Sequence, residues 1–320
     1  MVTARSGGGS KAYTLSVDAD HAGQRLDNFL LSVLKGVPRS RIYRIVRRGE
    51  VRINRCRARP EYRLRAGDQV RIPPLRTASP RPTPVGECPV GAVLYEDEDL
   101  LVLDKPSGVP VHSGSGVAAG LIESLRARRP QNPGLELVHR LDRETSGCLI
   151  VAKNRRALLA LHALLRGSGQ SVDKRYLALV SGRWYGGPRT LELGLTRNVM
   201  RSGERMVEVD RDGRVSLSIV SAARRFADAT LVEIQLLTGR THQARVHLAH
   251  IGLPIAGDRK YGDREANRRF RERGLRRVFL HAASLRFPHP VTGATVEVAA
   301  PLPVELESVL DALDSDSTTR

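Results

Sequence analysis

In the stretch Val138 to Lys153, VHRLDRETSGCLIVAK, a single carboxylate, Asp142, lies between Arg140 and Arg143. A carboxylate can act as a nucleophile, as a general base or as a stabiliser of positive charge. Such chemistry is done with water expelled, and there a carboxylate keeps its charge only beside a cation. Thr145-Ser146-Gly147 reads as a turn, and Cys148 to Ala152 as an apolar strand. A loop that feeds a rigid strand holds a reacting group well. The same spacing also fits a surface acid paired by arginines, because perturbed carboxylates occur in structural ion pairs too. Spacing alone does not separate the two readings.

The wider pattern adds more. HRLDRETSG closely resembles the catalytic-aspartate motif of the large-subunit ribosomal RNA pseudouridine synthases. Four further blocks resemble that family in the family's order. They are EDEDLLVLDKPSGVPVH (Glu96 to His112), KRYLALVSG (Lys174 to Gly182), LLTGRTHQARVHLAHIGLPIAGDRKYG (Leu236 to Gly262) and FLHAASLRFPHPVTG (Phe279 to Gly293). The likeness runs from about Gln24 to Leu313.

The resemblance implies an isomerase that breaks the bond from uracil N1 to C1′ and rejoins the base through C5. Such a reaction needs no cofactor and no metal. By resemblance Asp142 is the catalytic carboxylate, acting at C1′, at C6 or on a sugar proton. Arg240 is its counter-ion. Tyr176 is the aromatic wall that can stack on the base, its phenol able to assist proton removal. Arg140 enters the space left when the target nucleotide swings out of its stack, a step that costs about a few kcal/mol. Thr241 is placed to cap the helix after Arg240. Ala244 stands where the family usually has isoleucine, which leaves a slack spot behind Arg240 or one that a neighbour fills.

Other signals lead nowhere. His242, His247 and His250 lack the i, i+4 spacing of a zinc helix, and no cysteine pair supplies further ligands. Gly114 to Gly120 is one residue too long for a dinucleotide fingerprint. Lys105-Pro106-Ser107-Gly108 is not a phosphate loop, and Lys105 reads equally as an RNA contact or a solvated turn.

These residues need elements to position them. The 320 residues allow more than one domain, and 41% hydrophobic content is ordinary for a globular protein. No run of ~18 apolar residues exists, so no membrane partner is expected. The N-terminus lacks a secretory h-region, and the cytoplasm is the expected compartment. Cys56, Cys88 and Cys148 are isolated, so reduced thiols are expected. A net charge of +18 points to a polyanion partner. Only six of the 52 basic residues are lysine, which a GC-rich genome alone would produce, so the charge carries the inference and the arginine preference adds little.

Residues 1–14 read as a disordered tail. Residues 15–73 resemble an S4 RNA-binding domain. A helix is expected over Gln24 to Leu34, a second one capped by Ser40 and ended by Gly49, then strands at Val51 to Asn54 and Val70 to Ile72. Nine arginines and one acid fall between Arg39 and Arg59, with Arg41, Arg44, Arg48 and Arg52 expected to contact RNA. Residues 74–90 form a proline-rich linker. Residues 91–313 form the catalytic domain, with a hairpin at Ala92 to Leu103, a helix capped by Asn154, strands at Arg175 to Val180, Thr230 to Leu237, Phe279 to Phe287 and Thr295 to Ala299, and a last helix from Val304 to Leu313. Residues 314–320 read as a tail. The fold class is α+β, with a mainly antiparallel mixed sheet flanked by helices. The expected partner is large-subunit ribosomal RNA and the expected state a monomer. Two other readings remain at this point. One is a catalytically silent RNA-binding assembly factor on the same fold. The other is a carboxylate glycosidase, which would require a second acid beside Asp142.

Overall fold

The structure, a computed structural model, describes residues 12–34, 37–75, 88–113, 119–167, 172–201 and 204–318. The chain forms two compact units, Met1–Val85 and Gly86–Arg320. The expected linker overlaps the division, with its residues 76–87 outside the described ones, as are residues 1–11 of the expected tail and residues 114–118 of the glycine-rich stretch.

The first unit contains β1 (Tyr13–Ser16), α1 (Leu26–Val33), α2 (Arg39–Arg47), β2 (Arg52–Ile53), β3 (Cys56–Arg57) and β4 (Gln69–Ile72). Its strands lie in the order β1-β4-β2-β3, all antiparallel. β1 begins at Tyr13, so the expected tail yields its last residues to the sheet. Leu26, Phe29 and Leu30 of α1 and Ile42, Ile45 and Val46 of α2 share one helical face each and bury it with Val70 and Ile72 in a common core. Pro38, not Ser40, holds the N-cap position of α2, and no side chain caps that end. The preset φ of proline starts the helix two residues earlier than the serine would. Asn54 and Arg55 both have positive φ (49° and 71°), as a two-residue hairpin turn with the twist of its strands requires.

The second unit is built on an eleven-stranded sheet. Its elements are β5 (Ala92–Glu96), β6 (Leu100–Lys105), α3 (Leu121–Arg128), β7 (Glu136–Leu137), β8 (Ser146–Ala152), α4 (Arg155–Arg166), β9 (Asp173–Ser181), β10 (Arg189–Arg201), β11 (Glu204–Val209), β12 (Arg214–Arg225), β13 (Ala229–Leu236), α5 (Gln243–His250), α6 (Arg264–Glu272), β14 (Leu280–Pro288), β15 (Thr295–Ala299) and α7 (Val304–Thr318). The order is β11-β10-β12-β13-β9-β14-β8-β6-β5, with β15 beside β14 and β7 beside β8. Every pairing is antiparallel except that of β8 with β14.

Side chains of β6 and β8 alternate between two cores. Leu101, Leu103, Leu149 and Val151 pack with α3 and α5 on one face, whereas Leu100, Val102, Cys148 and Ile150 pack with α4 on the other. Both faces are covered, which is why these strands read as unbroken apolar runs. Asn154 caps α4 by accepting from Ala157 N at 2.9 Å. Trp184 is buried in the first of these cores. α7 continues past the expected end at Leu313, and there Arg224 pairs with Asp314 and Arg273 with Asp316 at 2.8 Å. Among the described residues, no helix is long and apolar enough to cross a membrane.

Candidate active site

Asp142 sits in the loop between β7 and β8, and this loop is tied down by its own carbonyls. Thr145 N donates to Asp142 O at 3.1 Å, closing the turn. Lys105 Nζ donates to Arg143 O at 3.1 Å, Ser107 Oγ to Glu144 O at 2.7 Å, and Arg277 Nη1 to Glu144 O at 3.3 Å. Arg143 Nε returns a bond to Gly108 O at 2.9 Å. Lys105 is therefore neither a solvated turn nor an RNA contact. It is fully buried, with further bonds to Pro106 O and Val109 O at 2.8 and 2.9 Å. Burial pushes its pKa down to about 7, with the Arg277 charge acting the same way and Asp142 opposing.

Gly147, the first glycine beyond the loop, has φ +106°, and a Cβ there would lie 2.2 Å from Ala282 O. β8 and β14 meet in parallel at this point, Gly147 facing Ala282. Only glycine permits so close an approach.

The counter-ion of Asp142 is not Arg240. Arg245 Nη1 lies 3.3 Å from Asp142 Oδ2. Arg240 is exposed, its Nε bonded to Val215 O at 3.3 Å. Gln243 explains the difference. Its Oε1 accepts from Arg240 N and Thr238 Oγ1, and its Nε2 donates to Leu217 O and Ser218 Oγ. These bonds fix the turn before α5 with Arg240 outside and leave Arg245, inside the helix, directed inward. Thr241 does not cap α5 either, because His242 occupies the N-cap position. Ala244 is buried in the main core, its side chain packed among larger neighbours.

Arg245 also bonds Asp258 through both ends of its fork, Nε to Oδ2 at 2.7 Å and Nη2 to Oδ1 at 2.8 Å. Its guanidinium carbon stands 5.0 Å from the centre of the Tyr261 ring. Burial lowers the Arg245 pKa, but the bonds and charge of Asp258, with Asp142, outweigh it and leave it above the ordinary value. Sequence reading passed over Arg245, although an arginine flanked by Ala244 and Val246 in the same motif could have been weighed as a buried charge that needs a partner.

Tyr176 lies in β9 opposite Ile234 and is 8% exposed. Burial raises its pKa, and the nearby charge of Asp142 raises it further, so the side chain rests as a neutral phenol. Arg140 is exposed in the Asp142 loop. His242 completes the surroundings, Nε2 at 3.8 Å from Asp142 Oδ2 and Nδ1 at 2.8 Å from Tyr261 Oη. In the first unit Arg44, Arg48 and Arg52 are exposed and Arg41 half-buried, and none of the four pairs with an acid among the described residues. Asp97, Asp99 and His289 gather ligand-type atoms within 4.8 Å of one another. Their donors and acceptors are engaged within the protein, however. His289 Nδ1 accepts from Val291 N and Thr292 N, its Nε2 faces Asp97 Oδ2 at 2.9 Å, and Asp99 accepts from Asn154.

Comparison with known proteins bears on this arrangement. A sequence model described as RNA pseudouridylate synthase matches residues 99–250, which contain Asp142, Tyr176 and Arg245. A protein of Yersinia pestis described as ribosomal large subunit pseudouridine synthase C is 51% identical over 312 residues, covering 96% of this chain and 97% of its own. The chain belongs to the RNA pseudouridylate synthase family. The Escherichia coli K12 protein of the same description is likewise 51% identical, over 308 residues, with 93% of this chain and 96% of that one covered. Among solved structures, human RNA pseudouridylate synthase domain containing 4 matches at 26% identity and TM-score 0.57, covering 70% of this chain and 93% of its own. Human RNA pseudouridylate synthase domain containing 1 matches at 28% and 0.55, covering 71% and 96%. An S4 domain model matches residues 24–70, so this pseudouridylate synthase carries an S4 domain ahead of its catalytic unit.

Proposed function

We propose that this pseudouridine synthase converts specific uridines of large-subunit ribosomal RNA, and that Asp142 is the carboxylate that acts on the sugar of the flipped nucleotide. The substrate class is supported by the description carried by relatives that share about half of its residues. The role of Asp142 is supported by one observation above others. Arg245 binds Oδ2, while Oδ1 has no partner among the described residues. One oxygen is thus anchored and the other is open to a reacting atom.

In this reading the N1–C1′ bond breaks, the uracil turns, and C5 bonds to C1′ as its proton leaves and N1 gains one. Arg245 supplies the counter-charge at Oδ2. Tyr176 forms a wall for the detached base and, as a neutral phenol, offers it a hydrogen. Arg140 fills the vacated stack with its planar guanidinium, and Arg41, Arg44, Arg48 and Arg52 hold phosphates.

Asp142→Asn tests the assignment. Single-turnover incubation with unmodified large-subunit rRNA, read by carbodiimide adducts, should give pseudouridine with wild-type protein and none with the variant. RNA affinity should stay within about threefold, because the charge contributes to chemistry rather than to phosphate binding. Turnover by Asp142→Asn would refute the assignment. A wild-type protein that binds yet forms no adduct on naked or assembled rRNA would favour a silent assembly factor.

A further inference from the structure

His242 is placed in a way that its backbone does not explain. Its φ of 54° and ψ of 18° are left-handed, a conformation that glycine adopts freely and that costs backbone energy in a histidine. It begins α5 without making a side-chain cap bond. A strained residue that returns nothing to its own helix points to a use for its side chain elsewhere.

The hydrogen bonds around its ring assign the tautomer. Val207 N donates to Tyr261 Oη at 3.0 Å, so the phenol oxygen already accepts one hydrogen. The phenol hydrogen is then directed to His242 Nδ1 at 2.8 Å. Nδ1 is the acceptor, and Nε2 carries the ring hydrogen. Nε2 faces Asp142 Oδ2, the same oxygen that Arg245 binds. The charged groups around the ring are Asp142, Arg245, Lys260 and Asp258. Burial lowers the His242 pKa, Asp142 and Asp258 oppose it, and Arg245 and Lys260 add to it, leaving the ring neutral.

We propose that His242 is a positioning residue for the reaction. Its Nε2–H, kept forward by Tyr261, joins Arg245 in anchoring Asp142 Oδ2, so that Oδ1 alone turns to the substrate. This rests on Asp142 being the catalytic carboxylate. The 3.8 Å separation is slightly beyond hydrogen-bond reach, and a small rotation of the carboxylate closes it, as such contacts tighten when substrate binds.

The deciding variant is His242→Gly in the full chain, because glycine relieves the backbone while removing the ring. The thermal unfolding of its second unit should stay close to that of wild type, the relieved backbone offsetting the lost bond to Tyr261, and its RNA affinity should be unchanged. Its single-turnover rate at saturating RNA should fall by roughly a hundredfold, the scale of a misplaced reacting group. Added imidazole should restore several-fold of that rate. Tyr261→Phe should lose about tenfold, since the ring keeps its place but not its tautomer, and imidazole should not help it. A wild-type rate in His242→Gly overturns the proposal, and so does a rate loss that imidazole leaves unchanged. Asp142→Asn, measured alongside, separates the two readings. Turnover by that variant removes the site assignment itself, whereas a silent Asp142→Asn beside an unimpaired His242→Gly removes only the role of His242.

Discussion

Arg245 holds two acids in different settings. The Asp258 side chain is 1% exposed and bound by both ends of the fork, whereas that of Asp142 is 19% exposed and touched by one nitrogen. Removing the guanidinium would leave Asp258 buried without its partner. Arg245→Ala should therefore cost ~3–5 kcal/mol in urea denaturation. Arg240→Ala, on an exposed turn, should change stability by no more than ~0.5 kcal/mol, and a comparable loss at both positions would contradict the geometry. The pair also fixes a pH response. Burial alone would raise the Asp258 pKa, but Arg245 and the backbone N–H groups of Tyr261 and Lys260 leave it below the ordinary 3.8. The unfolded chain then takes the proton first as pH falls. The stabilisation is whole above the unfolded pKa and is lost as pH drops through the folded one. Asp258→Asn should lower stability at neutral pH and flatten the decline that sets in as pH falls below about 4. The sequence displayed both arginines a few residues apart. What it did not display was the Gln243 bonding that turns one outward and the other inward.

The parallel contact of β8 and β14 makes Gly147 a structural hinge-pin for the loop that carries Asp142. Gly147→Ala would meet Ala282 O at 2.2 Å and force a backbone shift where β8 leaves the Asp142 loop. It should cost about 2 kcal/mol or more in stability and reduce turnover with it, both measurable on purified protein. Elements differ in how plainly their residues announce them. Asn154 before an amphipathic run, Gly49 after one, and the hairpin at β5 and β6 follow local chemistry and occur where expected. β12 shows why others do not. Its alternation of Val215, Leu217 and Ile219 with Ser216 and Ser218 suggests apolar residues inward, yet the two serines are fully buried and Val215 is exposed. His247 and Gln243 of α5 bond those serines at 2.7 and 2.9 Å, so a distant helix inverts the pattern. Likewise α7 outruns its last inward leucine because arginines of β12 and the segment after α6 pair with its acids. Such partners lie far away in sequence, beyond the reach of periodicity.

The whole chain carries +18, and the first unit concentrates part of that charge on α2 and the hairpin that follows. Replacing Arg41, Arg44, Arg48 and Arg52 together by glutamine should weaken RNA binding and reduce the slope of log affinity against log salt by roughly three, if each meets one phosphate. An unchanged slope would remove these four from the RNA contact. Three of the four are exposed and Arg41 is half-buried, outside the apolar core, so the melting behaviour should change little. The division into two compact units means that a single melting temperature need not describe the molecule. Here Trp184 is useful, being the sole tryptophan and buried within the second unit. Indole emission therefore follows the opening of that unit alone. Any loss of far-ultraviolet ellipticity that precedes the emission change belongs to the first unit, whose unfolding can be read without labels or dissection.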